Sequence, residues 1–206
     1  HVLDLGGRNL EILKDLPHVG TVIIPDEPGY EEKVQQLWRE LDLIVRERSH
    51  LFSQAKVTNL YEYNKQTTAP LPAILVAIDN IAEYLETFSK SSSKDDKSAL
   101  VDAFVNLARQ GKAYGIHFVI TASRLNALST KMYSLFTERY TLRLSDSGDY
   151  PAIVGSQIGD IDEIRGRGYT KVGRHALSFQ VAMPPGTGQI DATTGAIRTD
   201  ANQISQ

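Results

Sequence analysis

Apolar residues fall along this chain in two rhythms. Short apolar runs stand at Val2–Leu5, Thr21–Ile24, Ala73–Ile78 and Gly115–Thr121. Runs of this length, bounded by Gly or Pro, predict buried β-strands. Between them the spacing changes to three and four. Val34, Leu37, Trp38, Leu41, Ile44 and Val45 form one stripe and predict an amphipathic helix from about Glu31 to Phe52. Leu100, Val101, Phe104, Leu107 and Ala108 predict a second, ending near Gly111, and Leu125, Leu128, Met132, Leu135 and Phe136 predict a third. Shorter helices are expected at Leu10–Leu16, stopped by Pro17, at Ile81–Phe88 and at Tyr150–Gly155. Tyr140–Leu144 and Leu177–Ala182 alternate, as strands with one open face do, and the latter ends at Pro184-Pro185.

The remaining stretches lack either rhythm. Residues 53–72 are polar and irregular, with a helical turn at Tyr61–Tyr63. Ser89–Asp96 is a serine- and lysine-rich loop. The last twenty residues are rich in Gly, Thr, Asp, Asn and Gln and predict a tail or linker. Strand and helix thus alternate as in an α/β parallel sheet with helices on both faces, followed by antiparallel strands at the C-terminal end.

Length and composition narrow the class. The chain has 206 residues, enough for one sizeable core. Its formal net charge is −3, which argues against a broadly basic nucleic-acid surface. It contains no cysteine, so disulfides and thiolate metal sites are excluded. No apolar run approaches the roughly 18 residues of a membrane span. The chain begins at His1, directly on a strand, and is expected to be a piece of a longer protein.

Candidate chemistry gathers at strand ends. In a parallel sheet, ligands bind outside the carboxyl ends of the strands. Three such ends are Asp4 with Gly6-Gly7, Asp79-Asn80, and Thr121-Ala122-Ser123-Arg124. An acid ending an apolar strand holds Mg²⁺ in nucleotide-binding α/β proteins. Asp79 is the candidate for that role, with Asn80 where a water-polarising glutamate is expected, and the stretch equally fits a core strand that happens to end in Asp. Ser123 and Arg124 stand where a sensor of the terminal phosphate would sit, and equally fit a helix cap and a surface arginine. Glu83, one turn on, is either a substitute for the missing glutamate or a solvated helix residue. No G-x-x-x-x-G-K-[ST] cradle occurs, and Gly166-Arg167-Gly168-Tyr169 is expected to be a turn between strands. The five histidines show no metal-ligand spacing, and His117, inside an apolar strand, is expected in the core or an interface.

The order of the motifs adds a resemblance. Leu-Asp-Leu-Gly-Gly (3–7), Leu-Pro-His-Val-Gly (16–20), the run into Asp79-Asn80, Gly-Lys-Ala-Tyr-Gly-Ile-His (111–117), Thr-Ala-Ser-Arg (121–124), Leu-Arg-Leu-Ser-Asp (142–146), Gly-Arg-Gly-Tyr (166–169) and Phe-Gln-Val-Ala-Met-Pro (179–184) follow one another. Together they resemble the FtsK/SpoIIIE superfamily of RecA-like P-loop ATPases, and more narrowly an ATPase module of the type VII secretion ATPases. The resemblance implies one module over residues 1–184, with a polar tail or linker over 185–206 and a Walker A loop and helix upstream of residue 1. It implies ATP and Mg²⁺ as ligands, with Asp79, Asn80, Ser123 and Arg124 at the nucleotide and Asp79 at the metal. Arg139, Arg143 and Arg167 become candidates for reaching a phosphate at a module interface.

Two departures bear on activity. The active modules of the family carry Asp-Glu where this chain has Asp79-Asn80, and its DNA translocases carry Thr-Gln-Arg-Pro where this chain has Thr-Ala-Ser-Arg. The resemblance therefore implies a nucleotide-binding module with weak or no hydrolysis. Its partners would be neighbouring modules of the same chain or hexamer and a secreted protein. It would work at the cytoplasmic face of a bacterial membrane, held there by other parts of the protein. The alternatives are an active DNA-pumping ATPase and a nucleotide-free module that binds a secreted substrate. With the Walker A strand missing, Val2–Leu5 and Ile74–Ile78 are expected to expose apolar edges and to keep these residues from folding alone.

Overall fold

The computed structural model describes residues 1–89, 96–125, 128–155, 158, 161 and 164–182. Residues 90–95 of the expected Ser89–Asp96 loop, the expected strand stop at Pro184-Pro185 and the expected tail at 185–206 lie outside them, while Ser89 and Asp96 themselves are helical. The chain divides into two compact units, His1–Leu128 and Ser129–Gln206.

The first unit is built on four parallel strands. They are β1 (Val2–Asp4), β2 (Val22–Ile23), β3 (Ile74–Asp79) and β4 (Ile116–Ile120), in the spatial order β2-β1-β3-β4. Leu3 pairs with Ile78, Asp4 with Asp79 and Ala77 with Val119. This register gives the sheet two distinct faces. Leu3, Ile23, Val76, Ile78, Ile116 and Phe118 point one way; Val2, Asp4, Val22, Leu75, Ala77, Asp79, His117 and Val119 point the other.

The first face is covered by α1 (Tyr30–Ala55), α3 (Ile81–Ser89) and α4 (Asp96–Gln110). Trp38, Tyr84, Phe104 and Phe118 meet there with ring centroids 5.5–6.2 Å apart. The Trp38 indole N–H donates to the Tyr84 hydroxyl at 2.9 Å, and that hydroxyl donates to the Leu100 carbonyl at 2.8 Å. Three helices are thereby tied through two buried polar groups, each of which finds a partner. Burial holds the Tyr84 phenol neutral well above its ordinary pKa.

Helix α1 extends past its expected ends. Gly29 at φ 74° precedes it and Lys56 at φ 56° ends it, with the Lys56 N–H returning to the Phe52 and Ser53 carbonyls. Its buried stripe continues through Val45, Arg48 and Phe52. Arg48 sits on that stripe although charged. Its guanidinium donates to the Tyr114 and Pro72 carbonyls and so ties the helix to the approaches of β4 and β3. Burial draws its pKa below the ordinary arginine value. The segment expected to be irregular contains α2 (Leu60–Gln66). It is defined by its cap: Asn59 accepts from the Glu62 N–H at 3.0 Å, and the Glu62 carboxylate accepts from the Thr58 N–H at 2.9 Å.

On the second face Val2, Val22 and Ile24 pack with Leu10, Leu13 and Val19 around the 3-10 helix Glu11–Asp15. Over β3 and β4 the described residues of the first unit leave Leu75 55% and Val119 52% exposed, with Ala77 and His117 half-buried between them. The run Ala73–Ile78 therefore does not form a strand buried on both faces. The expected free edges are also corrected. β1 and β3 are interior strands with a neighbour on each side, and the sheet edges are β2 and β4.

The second unit holds β5 (Tyr140–Leu142), β6 (Arg167–Val172) and β7 (His175–Gln180), an antiparallel sheet in that order. The segment Gly166–Tyr169 is mostly strand, not turn. Gly168 pairs with Leu142 and Phe179 in the sheet, and the Thr141 carbonyl and the Phe179 ring occupy the space a Cβ would need there. The helix expected over Leu125–Phe136 shortens to α5 (Thr130–Tyr133), since the Ser129 side chain takes up the Met132 N–H and starts the helix there. α6 (Tyr150–Val154) ends at Gly155 with φ 73°, and Tyr150, Val154 and Ile161 form the unit's core with Tyr169 and Ala176.

Candidate functional site

The three strand ends singled out by sequence converge in the first unit. Asp79 closes β3 beside Asp4, which closes β1 in register with it, and Thr121 follows β4. The Leu5 N–H donates to the Asp79 carbonyl at 3.2 Å and the Thr121 N–H to the Ile78 carbonyl at 3.0 Å, so pairing carries on just beyond the strands.

The Asp79 carboxylate is held from two sides. Thr121 Oγ1 donates to Asp79 Oδ1 at 2.6 Å. Opposite, Asp79 Oδ2 lies against Gly6, where an added Cβ would stand 2.0 Å from it. Only glycine leaves that space. Because Thr121 spends its proton on Asp79, its oxygen is free to accept the Asn80 N–H, which it does at 2.8 Å. Asn80 itself is left-handed, with φ 63°, a conformation Asn tolerates better than most side chains. Its carbonyl accepts from the Glu83 N–H at 3.1 Å, and the Ile81 N–H donates to the Thr121 carbonyl at 2.9 Å. Asn80 thus turns the chain from β3 into α3, and its buried Oδ1 has no protein partner.

Asp4 is 1% exposed. Its Oδ2 accepts from the Leu10 N–H at 2.8 Å, which anchors the loop running through Gly6-Gly7, while Oδ1 is unpartnered. Glu83 is exposed on the first turn of α3. Its charge, after burial, helps hold the Tyr30 phenol above its ordinary pKa. Ser123 and Arg124 lie exposed on the bend after β4. His117 sits on the open face with Nε2 buried and unpartnered. Among the described residues no group of three His, Cys, Asp or Glu side chains could cage a metal ion.

The arginine candidates belong to the second unit. Arg139 is committed there: Nε donates to the Phe136 carbonyl at 2.9 Å, Nη2 to the Tyr133 carbonyl at 3.3 Å, and the guanidinium lies 3.8 Å over the Tyr133 ring. Arg167 Nε donates to Gln180 Oε1 at 3.1 Å. Arg143 is exposed.

Thr121 is the residue that sequence reasoning passed over in favour of Ser123 and Arg124. Its hydroxyl type and its place one residue past an apolar strand were visible. That it faces Asp79 follows only from the β3–β4 register.

A mainly parallel sheet with helices packed on it and a small antiparallel sheet after it is the architecture of RecA-like P-loop ATPase domains. The FtsK/SpoIIIE family matches residues 1–162, and the chain belongs to that family. It is similar to the type VII secretion system protein EssC of Staphylococcus aureus, with 26% identity over 184 residues, 89% of this chain and 12% of that protein's length. A solved structure of EssC ATPases 2 and 3 from Geobacillus thermodenitrificans superposes with a TM-score of 0.71 at 24% identity, over 86% of this chain and 32% of that one. The conjugation coupling protein TcpA of pCW3, solved with ATPγS, superposes with a TM-score of 0.67 at 23% identity, over 87% of this chain and 50% of that one. Among the described residues no helix is long and apolar enough to cross a membrane.

Proposed function

We propose that this chain is a nucleotide-binding module of a type VII protein-secretion motor that holds Mg–ATP and turns it over slowly. The observation that carries this reading is the Asp79 carboxylate, fixed by Thr121 and Gly6 at the end of β3 with an amide, Asn80, immediately after it. One carboxylate suits Mg²⁺, which keeps several waters and takes phosphate oxygens in place of a protein cage. Asn80 cannot accept a proton from water, and the absence of a positioned base lowers a rate by about 10²–10⁴. When bound, Mg²⁺ would polarise the terminal phosphates. Asp79 would orient it, and Ser123 and Arg124 would lie near the phosphate end.

The sheet topology supports a phosphate cradle supplied from elsewhere in a longer protein. The step from β1 to β2 crosses the Val2–Ala77 face, and the steps from β2 to β3 and from β3 to β4 cross the opposite face. Parallel crossovers share one hand, so steps in opposite directions use opposite faces. A parallel strand on the free edge of β4, returning by a helix to β1, would cross the face of Leu75, His117 and Val119. That face is the uncovered one. The loop after such a strand would emerge beside Thr121 and Asp79. In this reading the module's partners are adjacent ATPase modules and a secreted protein. It acts at the cytoplasmic face of a bacterial membrane through parts of the protein beyond this chain.

The test is nucleotide binding and steady-state hydrolysis by a protein that includes the natural flanking sequence. The expected outcome is Mg²⁺-dependent ATP binding with turnover that rises about 100-fold in Asn80→Glu. Rapid hydrolysis by the unaltered protein, abolished in Asp79→Ala, contradicts slow turnover. Salt-dependent DNA binding alongside it would move the reading to a DNA translocase. No bound nucleotide at millimolar ATP would leave a protein-interaction module.

A further inference from the structure

The proposed function gives Thr121 no role toward the ligand, yet its hydroxyl joins the acid at the end of β3 to the turn that follows. We propose that Thr121 is the positioning residue of this site: it fixes the Asp79 carboxylate and the Asn80 turn as one unit for a hydrated divalent cation carried on a nucleotide. The proposal rests on the nucleotide reading for its ligand and on geometry for its mechanism.

A threonine hydroxyl has one proton and can also accept. Here the proton goes to Asp79 Oδ1 at 2.6 Å, a short distance typical of a hydroxyl donating to a carboxylate. The same oxygen accepts the Asn80 N–H at 2.8 Å. The polarity of the pair is therefore set: Asp79 Oδ1 accepts from Thr121, and Thr121 accepts from Asn80. Thr121 is itself held, since its N–H and carbonyl bond to Ile78 and Ile81. Its β-branched side chain has few rotamers to choose from. On the far side Gly6, having no side chain, leaves the room that Oδ2 occupies. The hydrogen bond from Thr121 and that room together set where the carboxylate stands before a ligand arrives. Partners of this kind, one step removed from a metal, typically change metal affinity by about 10- to 100-fold when lost.

Three substitutions test this in the protein with its natural flanking sequence, using a fluorescent ATP analogue in excess Mg²⁺ and again in EDTA. Thr121→Val keeps the shape and removes the hydroxyl. It is expected to lose about tenfold or more of the Mg²⁺-dependent tightening and to match the unaltered protein in EDTA. Thr121→Ser keeps the hydroxyl and is expected to retain the tightening. Gly6→Ala pushes Oδ2 from the other side and is expected to behave as Thr121→Val does. Equal losses in Mg²⁺ and EDTA, or a Thr121→Val protein indistinguishable from the unaltered one, overturn the proposal. If the unaltered protein binds no nucleotide, the nucleotide reading fails. Crystal structures then decide the positioning role: Asp79 displaced in Thr121→Val and retained in Thr121→Ser supports it, and Asp79 unmoved in both overturns it.

Discussion

Val76 and Leu75 are neighbours on one strand, and one is 0% exposed while the other is 55% exposed. The difference separates the two faces of the parallel sheet. One carries the aromatic cluster of Trp38, Tyr84, Phe104 and Phe118 beneath three helices. The other carries Asp79 and Asp4 at its upper end and leaves Leu75 and Val119 bare. Stability is concentrated on the first face and candidate chemistry on the second. The two meet through Thr121 and through the turn at Asn80, where β3 passes into a helix of the covered face. A site with an open approach thus rests on a strand whose opposite side is close-packed, which holds the acid still without enclosing it.

The contrast can be broken first at its strongest point. Phe104→Ala removes a fully buried ring that meets Trp38, Tyr84 and Phe118, and should cost about 3–5 kcal/mol in denaturant unfolding. A loss below about 1 kcal/mol would mean that the covered face does not carry the core. On the second face, Leu75→Ser and Val119→Thr should each change the stability of these 206 residues by themselves by no more than about 0.5 kcal/mol, as at surface positions generally, and should cost more in the protein with its natural flanking sequence. A large loss at either site would show that this face is covered in solution.

The smallest effect lies at Glu27, whose carboxylate joins the two sides. It bonds Lys33 of α1 at 2.8 Å and Lys14 of the 3-10 helix at 3.0 Å. These hydrogen bonds, Lys33 first, draw its pKa from 4.5 to about 2. A depressed carboxylate pKa contributes stability that is complete above the unfolded value and is lost as pH falls through the folded one. The contribution should therefore fade between about pH 4.5 and about pH 2. Glu27→Gln should remove that part of the acid dependence in thermal melts: above about pH 4.5 its melting temperature should be slightly lower, and toward about pH 2 it should match the unaltered protein, the effect being small because the group is solvent-screened. An unaltered acid limb in Glu27→Gln would place the dependence on other carboxylates.

Particular elements show where local pattern suffices. Helix α1 was legible because six apolar residues repeat at helical spacing. Even so, Arg48 on its buried stripe was not, since a guanidinium is buried only where carbonyls such as those of Tyr114 and Pro72 await it. Helix α2 was legible only as a turn at Tyr61–Tyr63, because it buries only Leu60 and its ends are set by polar capping. The stripe from Leu125 to Phe136 promised a helix that Ser129 interrupts with its own cap. Gly166–Tyr169 resembled a turn, yet Gly168 serves a strand by giving up its side-chain space to Phe179. In each miss, a specific partner outweighed local propensity.

By itself the sequence determined the four parallel strands and the main helices of an α/β chain, and that an acid followed by an amide closes the third strand. Those features depend on residues a few positions apart. It also carried enough ordered motifs for the FtsK/SpoIIIE resemblance. Only the tertiary structure decided that β1 and β3 are interior, that β4 is an edge, and that half of one face is bare. Strand order is a matter of pairing between segments tens of residues apart, and no local rhythm encodes it. The same holds for the site: Asp79 and Asn80 were visible as a pair, but the hydroxyl that binds both comes from residue 121, and the space that confines the acid comes from residue 6.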